Sequence, residues 1–183
     1  MTVIAWIVEG TWPACVDATG THAPEGADIV LLHVTGQDLP GTARGAYAGL
    51  FGRGRPERDP GSRLQELAAA SAQQLQRAAA ERLGRPCTQL ERSGRIEREV
   101  VAAAEGADLL ILARDGDRTH LGPRSLSPAT RFVVDHAPCP VLLVWPETAP
   151  GIATIPPVPP GPPHRPGKRW ASAARGPHIR SAR

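Results

Sequence analysis

Side chains that suit an anionic ligand are concentrated between residues 113 and 130. The donors that suit phosphate in this stretch include Arg118, Arg124, Ser125, Ser127 and Thr130. Guanidinium and hydroxyl groups donate to phosphate oxygens, and Gly116 adds a position where the backbone can approach a ligand closely. This composition predicts a loop that binds phosphate groups. The alternative is a loop that only caps the following helix, with Ser127 as the capping residue.

The other residues that could catalyse a reaction or bind a metal lack suitable neighbours. No carboxylate, Cys or His stands at the spacing of metal ligands from the three candidate histidines, which are His33, His120 and His136. Neither Ser125 nor Ser127 lies in the G-x-S-x-G pattern of an exposed nucleophilic serine. The sequence therefore predicts no metal site, no catalytic residue and no enzymatic activity.

The elements that position these residues follow from the pattern of apolar residues. Apolar runs predict strands at residues 3–8, 28–34, 108–113 and 140–144, and residues 88–91 are a weaker strand candidate. Helical patterns cover residues 63–83, 96–104 and 129–136. The first of these helices begins with the capping-box spacing of Ser62 and Gln65. Alternating strands and helices predict an α/β fold with a doubly wound, open parallel sheet.

Two connecting stretches are poor in regular pattern. Residues 12–26 leave room for only a short helix, because glycine and proline interrupt them. Residues 35–61 are rich in Gly, Arg and Pro, which predicts a long loop.

Composition indicates a single-domain cytoplasmic protein. The 183 residues are enough for one core, and contents of 41% hydrophobic and 21% charged residues are ordinary for a globular chain. No apolar run approaches the roughly 20 residues that cross a bilayer, and the start carries no secretory signal, so we expect no membrane partner. Three cysteines without a C-x-x-C pair predict reduced, mostly buried thiols; they are Cys15, Cys87 and Cys139.

Residues 146–183 differ from the rest of the chain. They hold ten of the 20 prolines, and six Lys or Arg residues against the single acidic residue Glu147. Such a segment buries too little apolar surface to offset its ordering entropy. We expect a folded domain over residues 1–147 and a disordered, basic, Pro-rich tail over residues 148–183. The tail alone would give salt-sensitive, non-specific contacts, so nucleic acid is not the expected partner.

Three stretches carry a resemblance to a known family. Residues 109–146 combine a buried strand, a Gly-containing loop, a helix that ends in His-Ala-Pro-Cys-Pro at residues 136–140, and a final Val/Leu strand. Residues 27–34 and 8–11 match the second strand and the end of the first. The chain thus resembles universal stress proteins over residues 3–145. The resemblance implies a five-stranded sheet in the order 3-2-1-4-5 and a homodimer joined through the last strand, Val141–Val144.

Some members of this family bind ATP through a loop of the form G-x2-G-x9-G-[S/T], which this chain matches in part. Ala113 stands for the first glycine and Gly116 for the second. Ser127 and Pro128 stand for the final pair, one residue further along than in the motif. Glu9 replaces the Asp that contacts the nucleoside. The ATP contacts that the resemblance implies are Glu9, Val34, Ala113, Gly116, Arg118, Arg124, Ser127 and Thr130.

The sequence therefore predicts a binding or regulatory module of the stress response, with ATP as the candidate cofactor. Valine in place of Gly116 is expected to block the phosphates and to leave the fold intact. One alternative is an ATP-hydrolysing or nucleotide-transfer enzyme, for which Asp115 and Asp117 are the nearby metal-holding candidates. A second alternative is a nucleic-acid-associated protein that acts through the tail.

Overall fold

A computed structural model describes residues 1–36 and 60–157, with side chains from residue 66 onwards in the second range. Its strands are β1 (Thr2–Trp6), β2 (Asp28–Gly36), β3 (Thr88–Gly94), β4 (Leu109–Ala113) and β5 (Val141–Val144). Its helices are α1 (Trp12–His22), α2 (Pro60–Leu83), α3 (Ile96–Ala103) and α4 (Pro128–His136). Short 3-10 turns lie at Pro123–Ser125 and Ile152–Thr154.

The five strands form one parallel sheet in the order β3-β2-β1-β4-β5, which confirms the predicted order. Ile4 at the centre of β1 pairs with Val30 of β2 on one side and with Leu110 of β4 on the other. The chain first builds outward from β1 to β3, and then returns to build β4 and β5 on the opposite side. The order therefore reverses between β1 and β4, and in such sheets ligands bind at the carboxyl ends of the strands that flank this point.

Alternating side chains of the strands pack into two apolar layers. Val3, Ala5 and Ile7 face α1 and α2, whereas Ile4 and Trp6 face α3 and α4. Both layers are apolar, because β1, β2 and β4 carry buried apolar residues on both faces, as buried parallel strands do. This burial makes the sheet a rigid base for the loops at its edges.

The helix boundaries differ in two places from those predicted. Residues 12–22 form three turns of helix rather than a short one, because Pro13 stands in the first turn, where no N–H is needed, and the buried residues Cys15, Val16 and Thr19 pack on the sheet. Helix α2 begins at Pro60, so Ser62 lies inside the helix and not at its N-cap position. The predicted capping box is therefore wrong.

Parts of two predictions fall outside the described residues. The predicted loop over residues 35–61 includes residues 37–59, and the predicted tail includes residues 158–183. The division of the chain at residue 147 stays a prediction. None of the helices in residues 1–36 and 60–157 has the length and apolar character needed to cross a bilayer.

Candidate functional site

The turn between β1 and α1 forms one side of the carboxyl edge. The carbonyl of Val8 accepts hydrogen bonds from the N–H groups of Thr11 (3.1 Å) and Trp12 (2.9 Å), and Gly10 closes the turn with a φ of +78°. Glu9 is exposed here. Beside the turn, Nδ1 of His33 lies 3.1 Å from the carbonyl oxygen of Ile7, so Nδ1 carries the proton. Because its side chain is exposed, Glu9 can contact a ligand at the crevice.

The beginning of the loop between β4 and α4 packs against the end of the same loop. The N–H of Gly116 donates to the carbonyl of Ser125, and the N–H of Asp117 donates to that of Arg124, both at 2.9 Å. A Cβ atom on Gly116 would lie 2.8 Å from the carbonyl carbon of Ser125 and 2.9 Å from the nitrogen of Leu126, and nearer still to the carbonyl oxygen of Arg124. Gly116 is therefore required by close backbone packing within the loop. The expectation that valine here would leave the fold intact is not supported.

The loop ends at the start of α4, where Ser127 is the N-cap residue, as predicted. Its Oγ accepts the N–H of Thr130 at 3.2 Å, and Pro128 occupies the first helical position. The backbone N–H of Ser127 donates to Oδ1 of Asp115 at 2.9 Å. The Asp115 carboxylate therefore already places negative charge at the helix end that attracts anions.

Arg114 is a residue of this site that sequence reasoning missed. Its guanidinium stacks 4.7 Å from the ring centre of Trp145 and donates from one NH2 group to Oγ of Ser125, while its Nε has no partner among residues 1–36 and 60–157. Its backbone N–H donates to the carbonyl of Val144 at 2.9 Å. Arg114 thus ties the loop to the end of β5. The pairing of Ala113 with Val144 could have revealed the contact, because the next residues of paired parallel strands are neighbours.

The eight predicted ligand contacts all lie at the carboxyl edge, but their side chains differ in access. Arg124 and Glu9 are exposed, and Arg118 forms an exposed ion pair of 3.0 Å with Glu147. Three predicted side chains face the core, each at most 6% exposed; they are Val34, Ala113 and Thr130. The other two are Gly116 and Ser127, which shape the loop and cap the helix. A ligand would therefore reach the backbone of the buried three rather than their side chains.

The ionisable groups of the loop are engaged with one another. Hydrogen bonds from the side chain and backbone of Thr119 hold the pKa of Asp117 below its usual range. His120 lies 3.6 Å from Asp117, so the expectation that this histidine lacks a carboxylate partner is wrong. Within the part of the chain that the structure describes, however, no three His, Cys, Asp or Glu side chains form a group that could hold a metal ion.

The environments of the three thiols disfavour their charged form. Burial raises the pKa of Cys15 to about 12. It also raises the pKa of Cys87 and of Cys139, which are half-buried. The prediction of buried thiols is thus confirmed in full only for Cys15. None of the three pKa shifts favours the reactive thiolate form.

The fold and this edge can now be compared with known proteins. The sequence model of the universal stress protein family matches residues 16–144. The chain belongs to the universal stress protein family. No curated protein sequence matches the chain. This universal stress protein is similar in fold to UspA from Lactobacillus plantarum, with a TM-score of 0.52 and 20% identity over 79% of this chain and 97% of the other.

Two further structures of similar fold hold nucleotides. One is a universal stress protein in complex with cAMP, with a TM-score of 0.54 and 17% identity over 80% of this chain and 98% of that one. The other is a universal stress protein family protein from Arabidopsis thaliana with AMP bound, with a TM-score of 0.51 and 18% identity over 81% of this chain and 93% of that one. At this identity the likeness establishes the fold.

Proposed function

We propose that this universal stress protein is a binding and regulatory module that takes an adenine nucleotide at the carboxyl edge of its sheet. The observation that carries the proposal is the fixed path of the β4–α4 loop, which Gly116 packs against the backbone of residues 124–126. That path holds Arg124, Ser127 and the first turn of α4 at the end of β4, which flanks the crevice. The fold relatives that hold AMP and cAMP support an adenine nucleotide as the ligand.

Each contact in this proposal follows from the position of a group. The exposed carboxylate of Glu9 accepts hydrogen bonds from ribose hydroxyls. The phosphate lies at the first turn of α4, where the N–H of Ala129 donates to it, and where the Ser127 hydroxyl turns from Oγ1 of Thr130 to donate to it as well. The exposed guanidinium of Arg124 supplies positive charge.

Asp115 limits how much negative charge this site accepts. Its carboxylate is bound to the N–H of Ser127 and repels a phosphate placed on the same helix end. Pro128 removes one further N–H donor. We therefore expect AMP and cAMP to bind at least as well as ATP when no Mg²⁺ is added.

Calorimetric titration with AMP, cAMP and ATP tests the site. Asp115→Asn removes the repelling charge and keeps an oxygen for the N–H of Ser127, so ATP affinity should rise roughly tenfold. Asp108→Asn is the matched control, because Asp108 accepts the N–H of Thr2 at 2.7 Å at the opposite edge of the sheet. Equal effects of the two substitutions would mean that only net charge matters, and would place the nucleotide elsewhere.

Pro128→Ser tests the same site by adding donors. The variant restores an N–H and adds a hydroxyl at the first helical position, and one charge-assisted hydrogen bond is worth roughly 1.5–3 kcal/mol. Affinity should rise about tenfold or more. If the wild type, Asp115→Asn and Pro128→Ser all fail to bind at millimolar nucleotide, the proposal is wrong and the loop only caps α4.

The proposal includes a homodimer joined through β5. This strand is at the edge of the sheet, and all four of its residues are half-exposed, so its apolar surface is open to a second copy. Leu143→Lys should give a monomer in sedimentation, whereas Leu67→Lys, at a leucine that is 67% exposed on α2, should not. Circular dichroism checks that both variants fold. A monomeric wild type would end this part of the proposal.

The enzymatic alternative has less support from the site. Asp115 and Asp117, its candidate metal ligands, are already bound to the N–H groups of Ser127 and Thr119. The nucleic-acid alternative depends on residues 158–183, which lie outside the described residues. We therefore propose binding rather than catalysis.

A further inference from the structure

The chain does not leave the domain at the end of β5 but turns back over the β4–α4 loop. Three contacts hold residues 147–157 there. Glu147 pairs with Arg118 at 3.0 Å, and the N–H of Leu121 donates to Oγ1 of Thr154 at 3.0 Å. Pro156 packs beside Gly122. These contacts all meet the tip of the loop, residues 118–122, rather than its base at the start of α4.

Thr154 is oriented for this contact by its own segment. Its hydroxyl donates to the carbonyl of Gly151 at 2.7 Å, which leaves the oxygen lone pairs for the N–H of Leu121. Both bonds are formed at the 3-10 turn Ile152–Thr154. This hydrogen bond therefore determines which residue of the loop the segment contacts.

Hydrophobic burial contributes little to this attachment. Ile152 is 80% exposed and Ile155 is 55% exposed, so neither isoleucine anchors the segment. The ion pair between Glu147 and Arg118 is exposed and therefore weak. A segment held by one specific hydrogen bond and weak contacts can detach without unfolding the domain.

The segment also completes a cleft at the tip of the loop. The cleft has a volume of about 360 Å³, and Pro156 forms one wall. Arg124 and His120 of the loop also line the cleft. Arg124 therefore belongs both to the proposed nucleotide site and to the cleft that the segment completes.

We propose that residues 147–157 are a latch that orders the tip of the β4–α4 loop and couples the end of the described chain to the carboxyl edge. The ordering of the loop is a property of the latch itself. The effect of the latch on nucleotide affinity rests on the proposed function. Detachment of residues 147–157 releases the tip of the loop. By reciprocity, a ligand that orders the loop strengthens the binding of these residues to it.

Amide hydrogen exchange of the full chain tests the latch without any ligand. Thr154→Val removes the acceptor at nearly constant shape, and the N–H of Leu121 should exchange about fivefold faster, the factor that one ordinary hydrogen bond gives. Thr154→Ser keeps the hydroxyl and should restore slow exchange. Thr148→Val is the matched control, since Thr148 is exposed and its hydroxyl makes no hydrogen bond within residues 60–157. Equal exchange at Leu121 in Thr154→Val and Thr148→Val would overturn the latch.

Titration of the same variants with AMP separates this inference from the proposed function. Thr154→Val should bind AMP up to fivefold more weakly than Thr148→Val, because part of the loop population is no longer ordered for binding. Identical affinities would overturn the coupling to the site. If the wild type does not bind AMP at all, the proposed function fails, and the exchange of Leu121 alone decides whether the latch exists.

Discussion

Two glycines at the carboxyl edge show different reasons for the same residue. Gly10, in the turn after β1, has a φ of +78°, and within the described part of the chain no atom lies within 4 Å of the place a Cβ would take. Gly116, in the loop after β4, has no such backbone requirement but meets the backbone of three residues at that place. Gly10 permits a left-handed backbone conformation, whereas Gly116 permits close packing of two backbone segments.

This difference separates the two loops in how they tolerate change. The β1–α1 turn is short and open, so a side chain there costs only backbone strain. The β4–α4 loop is packed on itself, on β5 through Arg114, and on residues 147–157. We therefore expect substitutions in the second loop to move several elements together.

The largest effect is expected for Gly116→Ala. The added methyl group must displace backbone, which cannot move as a flexible side chain can, so the variant should lose about 3 kcal/mol of unfolding free energy. Gly20→Ala is the control, since Gly20 is inside α1 with nothing within 4 Å of its Cβ position, and it should gain about 0.5–1 kcal/mol. Urea unfolding measures both. A neutral Gly116→Ala would show that the loop is not packed on itself.

A smaller loss is expected for Gly10→Ala. The left-handed conformation costs a side chain about 1–2 kcal/mol, although the space around it is open. Gly151→Ala, at a φ of −66° with equally open surroundings, should be neutral or slightly stabilising. If both variants lose the same free energy of unfolding, the left-handed conformation is not the reason for glycine at position 10.

Ser127→Ala should cost about 1 kcal/mol through loss of the helix cap. Ser127→Thr keeps a capping oxygen and should recover most of that loss. Thermal unfolding compares the two variants. An unchanged melting temperature in Ser127→Ala would mean that Asp115 or water replaces the cap.

The smallest effect concerns α1, the helix that the Gly10 turn begins. Arg82 of α2 binds Asp17 through two bonds of 2.7 Å and holds the pKa of that exposed carboxyl below its usual 3.8. The stabilisation is therefore complete above the ordinary pKa and is lost as the pH falls through the lowered one. The stability difference between wild type and Asp17→Asn should shrink between about pH 7 and about pH 2. Glu81→Gln, at an exposed neighbour of Arg82, should show no such trend.

Sequence reasoning located β1, β2, β4 and β5 well because these parallel strands are continuous apolar runs, whereas β3 is mostly polar and was a weaker candidate. Each of the five strands and the start of α4 at Ser127 follow from local residue types. The start of α2 was misplaced because Ser62 offers a capping signal that the longer helix overrides. Arg114 and Thr154 were missed because their partners are 31 and 33 residues away, Trp145 and Leu121, and no local pattern reports such contacts.

Parallel strands also determine where an attached group leaves the molecule. Thr2 begins β1 at the amino edge of the sheet, where its N–H meets Asp108. Residues 147–157, by contrast, lie on the carboxyl edge, against the loop that follows β4. A fusion or sensor-chip linkage placed ahead of Met1 therefore presents the candidate site to solution. A linkage placed directly after residue 157 instead adjoins the segment that contacts the loop of this site.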